Sequence, residues 1–286
     1  MRVRLTCIAD THAGSTVGLA PPGPIPHPEG LEISPTPASR WLWSIYQRHL
    51  EQEAEAAKDH DVRALVFVGD LMDGLMHHGQ VQLYHPEPSV ERWITQRVAE
   101  AAVEVIDPTH IFVILGTPSH VGQMGASEER IGSWLVDRYG DKLQRPDEHR
   151  YGWGRLRAEF GGVRFDVTHH GKMGRLPHTR ESYHKRYAFD VWSSHAMYRG
   201  VDWVPDVAIR GHLHKYADSG PVAPHRRGTR AFALPCYQMG TDWVRRMAVE
   251  EAADIGMLGL TATGGRLADV HPQVVYPKVE EPVWTV

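Results

Sequence analysis

The sequence predicts an α/β fold, with helices outside a mixed sheet or outside two sheets packed face to face. Two observations predict it. The first half of the 286-residue chain alternates short apolar runs with segments of helical period, and the second half turns to hairpins and short strands. No internal repeat or sharp composition break divides the chain, which is long enough to bury a substantial core. One domain over 1–286 is therefore expected.

Residues 3–9 read as a strand, apolar and β-branched with an abrupt polar stop. Residues 13–38 are rich in Pro and Gly and poor in large apolar side chains, as in an ordered insertion or flap. Thr36-Pro37 opens a helix, because proline suits the first helical position. Trp41, Leu42, Ile45 and Leu50 continue it toward His60. Residues 63–68 form a strand apolar on both faces, as in a sheet centre. Ser89 is the expected N-cap of a helix carrying Val90, Trp93, Ile94, Val98, Ala101 and Val105.

Residues 111–115 make a third central strand, and Ser127 with Glu128 and Glu129 opens a helix through Ile131, Trp134 and Leu135. Residues 155–160 and 163–168, joined by Gly161-Gly162, carry the clearest hairpin signal. A helix through Tyr187, Val191 and Met197 follows, then short strands at 207–209, 231–234, 257–262 and 273–276.

A net charge of −4 with neutral histidines gives no global attraction to nucleic acid or to an anionic membrane. Local basic stretches remain, at Lys172, Arg175, Arg180, Lys185 and Arg186 and at Arg226, Arg227 and Arg230. The first uncharged run is too short for a signal peptide and no stretch approaches a membrane span, so a cytoplasmic protein without membrane contact is expected. Cys7 and Cys236 read as small buried residues in a reducing compartment.

Chemistry concentrates where apolar runs end. Asp10-Thr11-His12, Gly69-Asp70, the turn from Gly116 to His120, His169-His170-Gly171 and Gly211-His212-Leu213-His214 each place metal ligands there. Carboxylates and imidazoles without thiolates suit Mn, Fe, Co, Ni or Zn better than Mg or Ca alone. On an extended segment Asp10 and His12 share a face with Thr11 turned away, and His212 and His214 do so with Leu213 toward the core. The two oxygens of Asp70 can bridge two ions, as an imidazole cannot. Ions ~4 Å apart would hold a nucleophilic hydroxide between them and the non-bridging oxygens of a phosphate ester. Elsewhere, His77-His78 reads as a surface turn and Asp166 as an outward-facing strand residue.

In this order the motifs resemble the calcineurin-like metallophosphoesterase family, whose pattern is DxH, GDxxD, GNH followed by an acid, a histidine after a strand, and GHxH. Here they read Asp10-Thr11-His12, Gly69-Asp70-Leu71-Met72-Asp73, Gly116-Thr117-Pro118-Ser119-His120, His169-His170 and Gly211-His212-Leu213-His214. The surrounding wording looks most like the phage-encoded branch and, more distantly, like the Mre11/SbcD nucleases. The resemblance runs from Arg2 to about His214.

That resemblance implies a four-layer α/β/β/α sandwich of two packed mixed sheets, and two divalent metal ions, Mn first with Zn, Fe, Ni or Co as others. Asp10, His12 and His214 would hold one ion, Asp70 would bridge, and His212 with His169 would hold the second, leaving His170 nearer the substrate. His120 would be the catalytic histidine, and Asp73 would orient neighbouring groups.

The family's Asn and the acid after its histidine are missing. Three substitutes stay open: an oxygen of Thr117 or Ser119, His120 itself as a ligand, or a weakly bound second ion. The implied activity is hydrolysis of phosphoric esters, foremost diesters of nucleotides, DNA or RNA, with Lys172 and Arg175 as substrate contacts. A phosphomonoesterase on small nucleotides and a non-catalytic scaffold are the alternatives. The location would be the cytoplasm, the host's if phage-encoded. No protein partner is indicated.

Overall fold

A computed structural model describes residues 1–74, 82–122, 125–171, 177–199, 204–221, 228–241 and 253–277. In chain order, β1 (Arg2–Ile8) leads into a small pair, β2 (Ile25–Pro26) and β3 (Glu32–Ile33), within the Pro-rich segment. Next come α1 (Pro37–Ala57), β4 (Val62–Val68), α2 (Pro88–Ile106), β5 (His110–Ile114), the short α3 (Pro118–Val121) and α4 (Ala126–Tyr139). The second half runs β6 (Leu156–Phe160), β7 (Val163–Thr168), α5 (Pro177–Arg199), β8 (Val207–Arg210), β9 (Ala217–Pro221), β10 (Arg230–Ala233), β11 (Ile255–Thr263) and β12 (Arg266–Val275).

Among the described residues two large mixed sheets form, in the orders β12-β11-β1-β4-β5 and β6-β7-β8-β10-β9. The first is parallel across β1, β4 and β5 and antiparallel across β11 and β12. In the second, β7, β8 and β10 are parallel, with antiparallel strands at both edges. Period-2 alternation turns these sheets into layers. Val3, Leu5, Cys7, Val66, Val68 and Ile114 of the first sheet meet Phe165, Val167, Ile209 and Phe232 of the second in one buried cluster. The alternate residues Leu65, Phe67, Ile111 and Val113 pack instead against α1, α2 and α4. Ala208 and Ala231 face Ala188 and Val191 of α5. The result is the expected α/β/β/α stack.

Thr36 caps α1 by accepting from the Ser39 amide at 3.1 Å, with Pro37 at the first helical position. The expected cap of α2 is corrected. Pro88 fits the first helical position, so Glu87 is the cap and Ser89 lies inside the first turn. The strand at 217–221 was not anticipated, because its Asp-Ser-Gly-Pro ending reads as a turn. It is an edge strand, where proline costs no ladder bond. The strands expected at 257–262 and 273–276 belong to one longer hairpin, closed by Gly264 and Gly265 at φ 58° and 74°. Asp166 is also corrected. It is fully buried on the α5 side of the second sheet, paired with Arg210 Nη2 at 2.5 Å. Both cysteines are buried and free. No helix among the described residues is long and apolar enough to cross a membrane.

Candidate metal centre

The carboxyl ends of parallel strands deliver the site, the usual place for ligands in an open α/β sheet. Asp10 follows β1, Asp70 follows β4, Thr117 follows β5, His169 follows β7 and His212 follows β8. Backbone bonds lace the loops together. The Asp10 amide donates to the Gly69 carbonyl at 3.0 Å and the His12 amide to the Asp70 carbonyl at 3.1 Å.

The i, i+2 pairs share a face for a different reason from the extended spacing expected. Asp10, His12, Asp70, His212 and His214 all have positive φ, between 41° and 71°. Such left-handed geometry in non-glycine residues costs roughly 1–3 kcal/mol each, and Asp and His tolerate it better than most. Thr11 between them does turn away, donating its hydroxyl to the Leu71 carbonyl at 2.8 Å. Leu213 is only half-buried, so it does not anchor its loop in the core. Gly69, at φ 75°, has no room for a side chain, since a Cβ there would lie 2.8 Å from the Gly116 Cα and press on the His169 ring.

Six of the expected ligands converge. Asp10 Oδ1 lies 3.3 Å from His214 Nε2 and 3.9 Å from the Nε2 atoms of both His12 and His169. Asp70 Oδ2 lies 2.9 Å from His169 Nε2 and 4.0 Å from His212 Nδ1. Among the described residues, Asp10–His12–His214, Asp10–Asp70–His169, His169–His170–His212 and His12–Asp73–His120 each bring one ligand atom per residue within 4.8 Å of the others. His169 is buried and His170 exposed.

The tautomers show that these residues fit cations. His169 Nδ1 donates to the Val68 carbonyl at 2.8 Å, which leaves its Nε2 lone pair facing the Asp70 carboxylate. His12 Nδ1 lies 2.9 Å from Asp73 Oδ1, so its Nε2 lone pair faces His214 Nε2 at 3.1 Å. Opposed acceptors need a proton or a metal ion between them. Burial works against a charge on His169, yet the Asp10 and Asp70 carboxylates overrule it and lift its pKa to about 9. Burial likewise opposes ionisation of Asp70, and His169 and His212 hold its carboxyl well below the usual range.

Thr117 follows β5 and stands beside Asp70, His170 and His212. Its hydroxyl lies 2.9 Å from Asp70 Oδ2, 3.2 Å from His212 Nδ1 and 3.3 Å from His170 Nε2, and its amide donates to Asp70 Oδ1 at 2.6 Å. Ser119, half-buried, stands two residues on within α3. His120 Nδ1 donates to the Asp73 carbonyl at 2.6 Å, and its Nε2 lies 3.9 Å from Asp70 Oδ2. Gln238 Nε2 donates to Asp73 Oδ1 at 2.9 Å, which steadies the carboxylate that orients His12. Lys172, Arg175 and the His77-His78 pair lie outside the described residues.

Two carboxyls that the sequence does not mark as part of the site lie buried beside it. Glu128 accepts from the Leu71 amide at 3.3 Å and the Gly116 amide at 2.5 Å, tying the Asp70 loop to the Thr117 loop. Burial, then the Asp70 charge, push it up to about 8. Glu91 accepts from the Gly74 amide at 2.6 Å, and burial first raises it to about 7. Both stand in the first turn of a helix, where an acid reads as a partner for the helix dipole, and nothing local showed that they face inward.

No family model and no curated protein matches the chain. Among solved structures it is similar to a conserved uncharacterized protein of Streptococcus pneumoniae TIGR4 described as a predicted phosphoesterase, at 12% identity over 97% of this chain and 94% of that one, TM-score 0.37. It is also similar to the E. coli phosphoesterase Yfce (13%, 94% and 98%, TM-score 0.38) and to a single mutant of Entamoeba histolytica Vps29 (10%, 96% and 99%, TM-score 0.40). Overlaps this loose say nothing of activity, substrate or partners.

Proposed function

We propose that this chain is a single-domain, two-metal phosphoesterase of the calcineurin-like kind that cleaves phosphodiesters of nucleotides or nucleic acid, with Mn as the first choice of metal. The observation that carries the reading is the opposition of His169 Nε2 and Asp70 Oδ2 at 2.9 Å, with the other nitrogen of His169 already engaged. Asp10, His12 and His214 would hold one ion and His169 and His212 the other, with Asp70 shared between them and Thr117 Oγ1 beside the second set. When bound, the ions supply charge stabilisation of the phosphate oxygens and a more acidic water.

The chain's own groups do the rest. Asp10 and Asp70 provide the buried negative charge that attracts the ions. Asp73 and the Val68 carbonyl keep His12 and His169 in the ligating tautomer. His120, fixed at Nδ1 by the Asp73 carbonyl, would protonate the leaving oxygen from Nε2 once a phosphate favours the charged ring. The preference for diesters rests on the motif wording and on the basic stretch from Lys172 to Arg186 that follows the histidine pair.

The test is hydrolysis by the Mn-loaded protein of bis-(p-nitrophenyl) phosphate, mononucleotides, cyclic nucleotides, single-stranded DNA and duplex DNA in parallel. Mn-dependent cleavage of diesters ahead of monoesters is expected. A protein that purifies with little metal and cleaves none of them is a scaffold, and the reading fails.

A further inference from the structure

A cavity of about 380 Å³ opens between α5 and the outer face of the second sheet, within the size range of small-ligand sites. We propose that it seats a nucleotide unit: a phosphate held by Arg155 and Arg157, with its base against Tyr198. As the neighbour of the unit being cleaved, this nucleotide deepens the phosphoesterase reading and in that respect rests on it.

Charge comes first. Three guanidiniums, of Arg155, Arg157 and Arg210, face two carboxylates, the buried Asp166 below and Asp190 on the wall. Arg210 is fully committed, donating to Asp166 Oδ2 at 2.5 Å, to the Asp166 carbonyl at 2.7 Å and to the Tyr187 hydroxyl at 2.8 Å. The lining therefore carries an excess of positive charge, and it lies on the two arginines that reach solvent. Their side chains stay 41% and 21% exposed. Arg155 is also fixed in place. Its Nε bonds Asp166 Oδ1 and its Nη2 lies 3.0 Å from His195 Nε2, so little side-chain freedom is left to lose on binding.

The second observation is aromatic. Tyr198, at the edge of the cavity, is 83% exposed, and an exposed ring beside guanidiniums is what a base stacks on.

The third is position. Thr168 and Arg210 are cross-strand partners at the ends of β7 and β8, both lining the cavity. The next residues along those strands are His169 and Gly211-His212 of the metal centre. Cavity and centre are thus one to two residues apart on both strands, roughly 4–8 Å of backbone.

The test is calorimetric titration of chelator-treated protein with inorganic phosphate and with adenosine 5′-monophosphate, followed by KM for a dinucleotide with the Mn-loaded protein. The nucleotide should bind more tightly than phosphate. Arg157→Ala should weaken both roughly tenfold, the loss of a charge-assisted pair, and raise KM for the dinucleotide. Tyr198→Ala, at an exposed position that cannot unsettle the fold, should weaken only the nucleotide. Melting curves check that Arg157→Ala is folded, and if it is not, Tyr198→Ala decides alone. No binding to the chelated protein, binding abolished by Asp70→Asn, or binding indifferent to these variants overturns the proposal and leaves metal-dependent hydrolysis standing. Binding that follows Arg157 and Tyr198 in a protein that cleaves no ester upholds the nucleotide site, and the phosphoesterase reading alone fails.

Discussion

His169 and Asp70 meet 2.9 Å apart, Nε2 to Oδ2, while the Val68 carbonyl takes the one proton the ring carries when neutral. The ion-free protein resolves this contact by protonating His169, whose pKa rises to about 9. Burial also opposes charge on His214, and Cys236 and Asp10 raise it well above its ordinary value. At pH 7 His169 therefore carries a proton that a metal must displace, and His214 is biased the same way. Binding of Mn should release protons, measurable by titrating in buffers of different ionisation enthalpy. Uptake without release would show that the rings are neutral and the contact is made some other way.

Asp70→Asn should lower metal occupancy and turnover together, because a charged oxygen between His169, His212 and His120 becomes neutral. Elemental analysis after dialysis reads this directly. Two ions per chain in the variant would contradict bridging by Asp70.

His120→Ala should reduce turnover by roughly 10²–10⁴, the usual contribution of a positioned acid or base, with both ions retained. Loss of one ion instead would make His120 a ligand and move the acid elsewhere.

Thr117→Val removes the hydroxyl that lies within 3.3 Å of Asp70, His212 and His170. It should weaken the second ion more than the first in a stepwise titration. Thr117→Asn restores an amide oxygen and should tighten it. Equal effects on both ions would remove Thr117 from the second set.

Away from the site, fully buried Glu53 accepts from Arg4 at 2.7 and 3.0 Å, from Thr6 at 3.1 Å and from Gln273 at 2.7 Å, joining α1 to β1 and β12. Glu53→Ala leaves Arg4 buried without its main counter-ion and should cost about 3–5 kcal/mol. Burial opposes ionisation of Glu53, but His271 and Arg4 hold its pKa below the ordinary 4.5. The folded state therefore binds fewer protons than the unfolded one. The stability this contributes is present above pH 4.5 and is lost as pH falls through the folded value. Chemical denaturation at pH 7 and pH 3 should show a smaller acid loss in Glu53→Gln than in the wild type. Equal losses would clear Glu53 of the effect.

Local pattern alone marked the strands that carry the candidate ligands and the types of those side chains, because a buried strand must be apolar and must stop where polar side chains begin. Asp10, Asp70, His169 and His212 stand at such stops, and the order of the motifs was legible without coordinates. Tertiary contacts alone set which ring nitrogen of His169 faces Asp70, put the Thr117 hydroxyl against Asp70, His170 and His212, and bring the loops in through left-handed backbone. They also decided that Glu128, Glu91 and Asp166 face inward. The side-chain partners involved lie 11 to 101 residues away, and nothing in a local pattern encodes what lies across a sheet or under a helix.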